Sequence, residues 1–304
     1  MFKIVIPGGS GHLGTLLTRH FRHQRHDVIV LGRKSTPAEW REIDGADAVI
    51  NLIGRSVDCR YGEKHRREIL ESRVESVRKI ATLVAEAKNP PRAWLQASTA
   101  TLYAHRFDAA NDEVHGIIGG NEADAPSKWR FSIDVALAWE KAFDEVVAPR
   151  TRKLKLRTAI VMSNHHGSAF PIFRLIAKLG LGGKMGDGKQ WVSWIHERDF
   201  VQAVEWLIEE EDMSGVFNLA APNPLPNAEF MRAIRETCGR RFGIGGTAWM
   251  LEIAAFVHRT ETELLLKSRR VVPRRLLESG FQFEFERWPD AARDLCGRGG
   301  ESVW

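Results

Sequence analysis

Residues 2–14 read FKIVIPGGSGHLG, and this opening run constrains the chain more than any other stretch. Residues 2–6 are almost continuously apolar, the pattern of a strand buried on both faces of a parallel sheet. Gly8, Gly11 and Gly14 follow at a spacing of three. Leu13, Leu16, Leu17 and Phe21 then recur on one helical stripe. Strand, glycine loop and helix, in that order, form the context in which a glycine-rich motif binds a dinucleotide. Glycine lets the backbone turn tightly and approach a pyrophosphate. The helix start offers unpaired N–H groups and the positive end of its dipole. The glycines alone read equally as a tight turn. The flanking elements favour a cofactor loop made of Gly8, Ser10, Gly11, His12, Leu13 and Gly14.

The next elements extend the pattern. Residues 28–31 read as a second strand, followed by Arg33 and Lys34. An acidic residue there would hold the ribose 2′-OH of NAD, whereas basic residues suit the 2′-phosphate of NADP. An exposed charged turn is the competing reading. Residues 46–53 form a third strand, and Leu52, Ile53 and Gly54 at its end leave room for a cofactor against the backbone. Residues 63–87 read as a long helix ended by Asn89-Pro90-Pro91. Residues 93–97 read as a strand running into Ser98 and Thr99, 104–127 as a long active-site loop, 129–147 as a helix and 155–162 as a fifth strand. Strand and helix alternate throughout, which predicts a Rossmann-type, doubly wound parallel α/β sheet. In the second half, residues 170–179 and 198–210 read as helices. Residues 190–195 and 216–219 read as short strands, and Asn227 as the cap of a helix running to about 238. A smaller helical section, a strand over 281–285 and a helix over 288–295 complete the chain. The expected division is a dinucleotide-binding unit over 1–165 and a mixed substrate-binding section over 166–304, with about 190–222 returning to the sheet.

Composition limits the alternatives. The 304 residues are 43% apolar and 27% charged, the balance of a soluble globular protein. No run of 18 apolar residues predicts a membrane span, and the opening strand leaves no place for a signal peptide. Cys59, Cys238 and Cys296 are far apart and odd in number. They predict neither disulfide framework nor metal site and fit a reducing cytoplasm. The net charge of +5 allows a nucleic-acid reading. No aromatic-interleaved basic motif accompanies it, so solvated surface charge, or an anionic cofactor and substrate, accounts for it better.

Several motifs together resemble the extended short-chain dehydrogenase/reductase superfamily. They are PGGSGHLG, NLIG at 51–54, LRTAIVM at 156–162, the glycine-rich run at 180–199, FNLAAPNP at 217–224 and VPRRLLESGFQFEF at 272–285. The tail motif narrows this to an atypical sugar-nucleotide epimerase-like family with a short C-terminal domain of unknown function. Pro7 stands where the superfamily usually has threonine.

The resemblance implies hydride transfer assisted by a tyrosine, a lysine four residues later that lowers its pKa, and a Ser/Thr hydroxyl that polarises the substrate. The chain has no such tyrosine–lysine pair. Its two tyrosines are Tyr61, followed four on by His65, and Tyr103, followed by Phe107. The similarity places Phe131 and Val135 in the two slots. Thr99 matches the hydroxyl position, with Ser98 beside it, though both could be satisfied strand-end hydroxyls. Arg73 falls where relatives carry an active-site asparagine, and could clamp an anionic substrate or simply pair with a carboxylate. Arg157 and Thr158 match the segment that passes the nicotinamide. Tyr103 is the tyrosine open to a substitute role. Trp191 is a further substrate candidate, although it and Trp194 read more readily as core. His196 and Asp199 could form a catalytic pair, but the resemblance implies that this region begins a helix and is mainly structural. The expected protein is an NADP(H)-binding, epimerase-like oxidoreductase for an unknown small molecule. Its rival is a catalytically silent NADP(H)-binding regulator. Substrate, reaction direction and oligomeric state are not encoded in any motif.

Overall fold

The computed structural model describes residues 1–123, 125–247 and 263–297. β1 (Lys3–Pro7) leads through the glycine loop into α1 (His12–His23) and β2 (Asp27–Leu31). Next come α2 (Pro37–Trp40), β3 (Ala48–Asn51), α3 (Glu63–Glu86), β4 (Ala93–Thr99), α4 (Arg130–Asp144) and β5 (Arg152–Thr158). Then follow β6 (Ile160–Met162), α5 (Phe170–Lys178), β7 (Trp191–Val192), β8 (Trp194–His196), α6 (Glu197–Glu209), β9 (Gly215–Leu219), β10 (Leu225–Pro226) and α7 (Asn227–Thr237). The tail contributes α8 (Glu263–Leu266), α9 (Arg274–Glu278) and α10 (Trp288–Gly297).

The main sheet runs β2-β1-β3-β4-β5-β9, with every pairing parallel. The order reverses between β1 and β3, so the crevice at their carboxyl ends is the switch point where such sheets bind ligands. The central strands β1, β3 and β4 bury both faces, which is why the sequence shows apolar runs there, whereas β5 alternates between buried leucines and half-buried polar residues. Ile4, Ile6 and Leu95 pack against Leu16, Leu17 and Phe21 of α1 and Phe200, Val204 and Leu207 of α6. On the other face Val5, Val49 and Trp94 meet Val77 and Ile80 of α3 and Trp139 and Phe143 of α4. Among the described residues, no helix is long and apolar enough to cross a membrane.

The second half departs from expectation in several places. The strand expected over 155–162 breaks at Ala159, whose amide still bonds the Leu219 carbonyl; β6 then leaves the sheet to pair with β8. The strand expected over 190–195 is two strands, because buried Ser193 between them turns its hydroxyl to the tail, donating to the Arg269 carbonyl at 2.7 Å. Only β9 of the 190–222 segment joins the main sheet. His196 caps α6, its Nδ1 accepting from the Arg198 amide at 3.1 Å. Asn227 is not a cap: it is the first residue of α7, and its Oδ1 accepts from the Met185 amide at 2.8 Å.

Residues 281–285 are not a strand. Phe281, Phe283 and Phe285 do alternate inward, but the Glu284 and Phe285 amides donate to the Asp199 carboxylate at 2.7 and 3.0 Å. One side chain replaces a neighbouring strand. Much of the smaller helical section expected after residue 238 lies outside the described residues.

Candidate functional site

A cavity of about 480 Å³ opens at the carboxyl ends of β1, β3 and β4. Its floor is the glycine loop. Gly8 has φ of +82°, and a Cβ there would lie 2.7 Å from the Leu52 carbonyl carbon. A Cβ on Gly14 would lie 2.3 Å from the Gly9 Cα, so only glycine allows the loop to lie flat against α1. α1 starts with no side-chain cap and no acidic residue in its first turn, leaving its amide end available to an anion. His12 lines the cleft and shares a 2.7 Å hydrogen bond with Ser163 through Nε2. Burial, and then the nearby His165, pull His12 down to about 4, so it stands there neutral. Gly8, Gly11, His12, Leu13, Gly14, Leu52 and Gly54 therefore share one surface. Ser10 is exposed at the loop tip, and Arg33 and Lys34 are exposed after β2. These features match the shape and charge of a dinucleotide: a cradle that a Cβ would fill, an open helix start, and cations beyond β2.

Ser98 and Thr99 at the end of β4 line the wall. Ser98 is committed, donating to Glu140 Oε1 at 2.6 Å. Thr99 Oγ1 accepts from the Thr101 amide at 3.2 Å, which leaves its O–H free to donate into the cavity. Phe131 and Val135, one turn apart on α4, both face the cavity, so the two expected acid/base slots are filled by hydrocarbon. Arg73 also lines the wall, but its Nη1 is taken up by the Arg55 and Ile69 carbonyls at 3.1 and 2.9 Å. Burial pulls its guanidinium down to about 10, and the Tyr61 phenol partly offsets this.

Ile53 does not line the cavity, its amide donating to Asn51 Oδ1 at 3.1 Å, and four further expected site residues lie elsewhere. Arg157 forms a bidentate pair with Glu140, with Nε–Oε1 at 2.9 Å and Nη2–Oε2 at 2.8 Å. Tyr103 is 1% exposed, accepts from Arg157 at 3.0 Å and donates to Asn218 Oδ1 at 2.9 Å. Burial raises the Tyr103 phenol, so it stays a neutral structural link. Thr158 points its hydroxyl back to the Leu156 carbonyl. Trp191 lies under the Arg270 guanidinium, 4.1 Å from its ring centroid, outside the cavity. None of the described residues of the 104–127 loop lines the cavity either. Asn111 stitches that loop to the tail, its amide bonding the Arg270 carbonyl and its carbonyl the Val272 amide.

The structure adds residues that no motif pointed to. Tyr61 enters the cavity from the segment before α3 and meets Phe131 edge-on, ring centroids 5.0 Å apart. Glu140 anchors the network behind Ser98. Ser132 and Glu263 close the far side, bonded to each other at 2.6 Å. Glu140, Ser132 and Glu263 were illegible because the chain pairs them across 42 residues or more.

Comparison with known proteins agrees with this geometry. The family model described as the NAD dependent epimerase/dehydratase family matches residues 4–220, and a Domain of unknown function (DUF1731) matches 247–295. The epimerase family protein SDR39U1 of Mus musculus is 30% identical over 304 residues, covering 96% of this chain and 99% of that protein. The crystal structure of human epimerase family protein SDR39U1 (isoform 2) with NADPH superposes with a TM-score of 0.85 at 29% identity, covering 97% of this chain and 99% of that one. A nucleoside-diphosphate sugar epimerase from Corynebacterium glutamicum matches with a TM-score of 0.76 at 27% identity, over 97% of this chain and 58% of its own. A model that matches from the first strand through β9, over a sheet whose switch point carries the glycine cradle, makes the chain a member of the NAD dependent epimerase/dehydratase family.

Proposed function

We propose that the protein is an NADP(H)-dependent, epimerase-like oxidoreductase acting on a small molecule without the tyrosine–lysine pair. The observation that carries this is a single cavity joining the glycine cradle to the Thr99 hydroxyl, with Phe131 and Val135 opposite. Gly8, Ser10, Gly11, His12, Leu13 and Gly14 hold the pyrophosphate, Leu52 and Gly54 lie against the cofactor, and Arg33 and Lys34 meet the 2′-phosphate. NADPH in the human relative supports that choice. When bound, the cofactor supplies a hydride. Thr99 orients and polarises the substrate oxygen, and Arg73 adds a positive field that favours an anionic substrate. Arg157 and Thr158 act from behind the wall by fixing the end of β4. The first 165 residues supply the cofactor face and the remainder closes the substrate side.

A second reading is favoured by the hydrocarbon in the two slots: a catalytically silent NADP(H)-binding regulator. Calorimetric titration with NADPH and NADH tests the cofactor assignment. A guanidinium–phosphate contact worth about 1.5–3 kcal/mol predicts a roughly ten- to hundredfold preference for NADPH. Arg33→Ala should remove most of it, and equal affinities in the unaltered protein would refute the assignment. Consumption of NADPH across a panel of carbonyl and nucleotide-sugar compounds separates enzyme from regulator.

A further inference from the structure

Glu263 is 2% exposed yet lines the cavity, and it is delivered there by the tail, far from the glycine loop in sequence. Its Oε2 accepts from Ser132 Oγ at 2.6 Å, and Ser132 is the next residue after Phe131. One helical turn further on, Lys267 places Nζ 3.8 Å from Glu263 Oε1 and donates to the Thr101 carbonyl at 2.7 Å, beside Thr99. A carboxyl group and a cation thus stand four residues apart, on α8 and just past its end, next to the filled slots on α4.

We propose that Glu263 is the acid/base group of this cavity and that Lys267 is its positioning cation, together replacing the missing tyrosine and lysine. The inference rests on the oxidoreductase reading above. As a carbonyl carbon of the substrate takes up hydride, the C–O π electrons move onto oxygen, and that oxygen takes the proton of the Glu263 carboxyl. The carboxylate left behind is reprotonated by hydronium or a buffer acid from bulk solvent when the product leaves and the cavity opens to water; in the oxidative direction it accepts the alcohol proton instead.

The surroundings fit a carboxyl that changes protonation state. Ser132 faces it from α4, and Lys267 and Arg269 from its own segment. Arg269 Nη2 is held by the Glu263 backbone carbonyl at 3.1 Å. Glu122 acts on Lys267, and the Tyr61 phenol acts on both Arg269 and Arg73. Burial, and then Arg269, pull the Lys267 ammonium down to about 8, so the cation beside Glu263 is itself weakened near neutral pH. On the α4 side two hydrocarbon side chains, Phe131 and Val135, line the cavity beside Ser132.

Infrared difference spectra across a pH titration of the full chain, loaded with NADPH and then with NADP⁺, test this. The expected result is a protonated-carboxyl C=O band that disappears in Glu263→Gln. Its frequency should shift in Ser132→Ala, a second variant that reads the same group if the first fails to fold. The midpoint should be lower with NADP⁺ than with NADPH by about one pH unit or more, the effect of an adjacent positive charge on a carboxyl. A Glu263 that serves only to tie the tail to α4, away from the nicotinamide ring, would show no such shift, because the effect of the ring charge falls off with distance. A band untouched by both substitutions, or one midpoint for both cofactors, overturns the role while leaving the cofactor reading intact. Absence of NADPH binding, read separately by fluorescence, overturns both.

Discussion

At the residue scale, Glu140 decides more than any residue the motifs singled out. Its carboxylate holds Arg157 in a bidentate pair, accepts from Ser98 and stands 3.7 Å from Lys155, all behind the cavity wall. Burial opposes its charge, but the Arg157 contacts outweigh burial and hold the carboxyl below its ordinary value of 4.5. A depressed folded-state pKa stabilises the fold fully above the unfolded value, and that contribution is lost as pH falls through the folded one. Acid unfolding should therefore include the loss of this pair below about pH 4.5. Glu140→Gln strands a buried guanidinium and should cost about 3–5 kcal/mol at neutral pH, with the stability difference narrowing in acid. Urea unfolding at pH 7 and pH 4 checks both; an equal loss at the two pH values would show that the charge is not what matters. Arg157 illustrates why a matched motif position misleads. Its place in the sequence suggested a ligand contact, while its side chain is already spent on Glu140 and Tyr103.

At the element scale, the glycine loop is held by sterics as well as by backbone hydrogen bonds such as Gly9 N–H to the Ile6 carbonyl at 3.0 Å and Gly11 N–H to the Gly8 carbonyl at 3.1 Å. Gly14 faces the backbone of Gly9, which cannot swing aside as a side chain can. Gly14→Ala should push α1 away from the loop, costing at least about 1–3 kcal/mol for overpacking, and should weaken NADPH binding beyond what the stability loss explains. Thermal melting and NADPH titration on the same sample separate the two effects, and full NADPH affinity in a destabilised Gly14→Ala protein would mean that the loop geometry is not needed. α4 illustrates a different limit. Its helical character was readable from residues 129–147, and the structure shows α-helix from Arg130 to Asp144 after a short turn over Ser127–Trp129. Its period places Phe131 and Val135 on one side. That this side faces a cavity, and that Tyr61 fills part of it, depends on a segment that arrives from before α3.

At the scale of the whole molecule, the tail is built into both cores. Leu276, Phe281 and Phe283 pack with β1, α1 and α6, while Phe285, Trp288, Ala291 and Leu295 pack with α5 and α7. Trp288 also stacks on Phe230, centroids 4.2 Å apart, and donates its indole N–H to the Phe230 carbonyl. Each buried side chain of this size contributes about 1.5–3 kcal/mol, so losing several approaches the 5–15 kcal/mol stability of a typical domain. A chain ending at Arg270 should be insoluble or melt far below the full chain. Unchanged melting would mean that the tail is a separate module. The Asp199 carboxylate binds the same tail through two amides, and burial raises it to about 6.

The amino-acid sequence alone determined the parallel sheet, the glycine loop, the basic residues after β2 and the absence of a tyrosine–lysine pair. These are local properties: apolar runs, glycine spacing and residue identity are set within a few positions of the chain. Tertiary structure decided which groups share the cavity. Tyr61, Ser132 and Glu263 come from three separated segments, and Tyr103, a neighbour of Thr99 in sequence, turns away to Asn218 on β9. Side-chain direction at a strand end depends on which distant partner offers a hydrogen bond, and no local pattern encodes that choice. The 281–285 segment shows the same division: its inward alternation was legible, but its pairing was not, because the partner is the carboxylate of Asp199 rather than a strand.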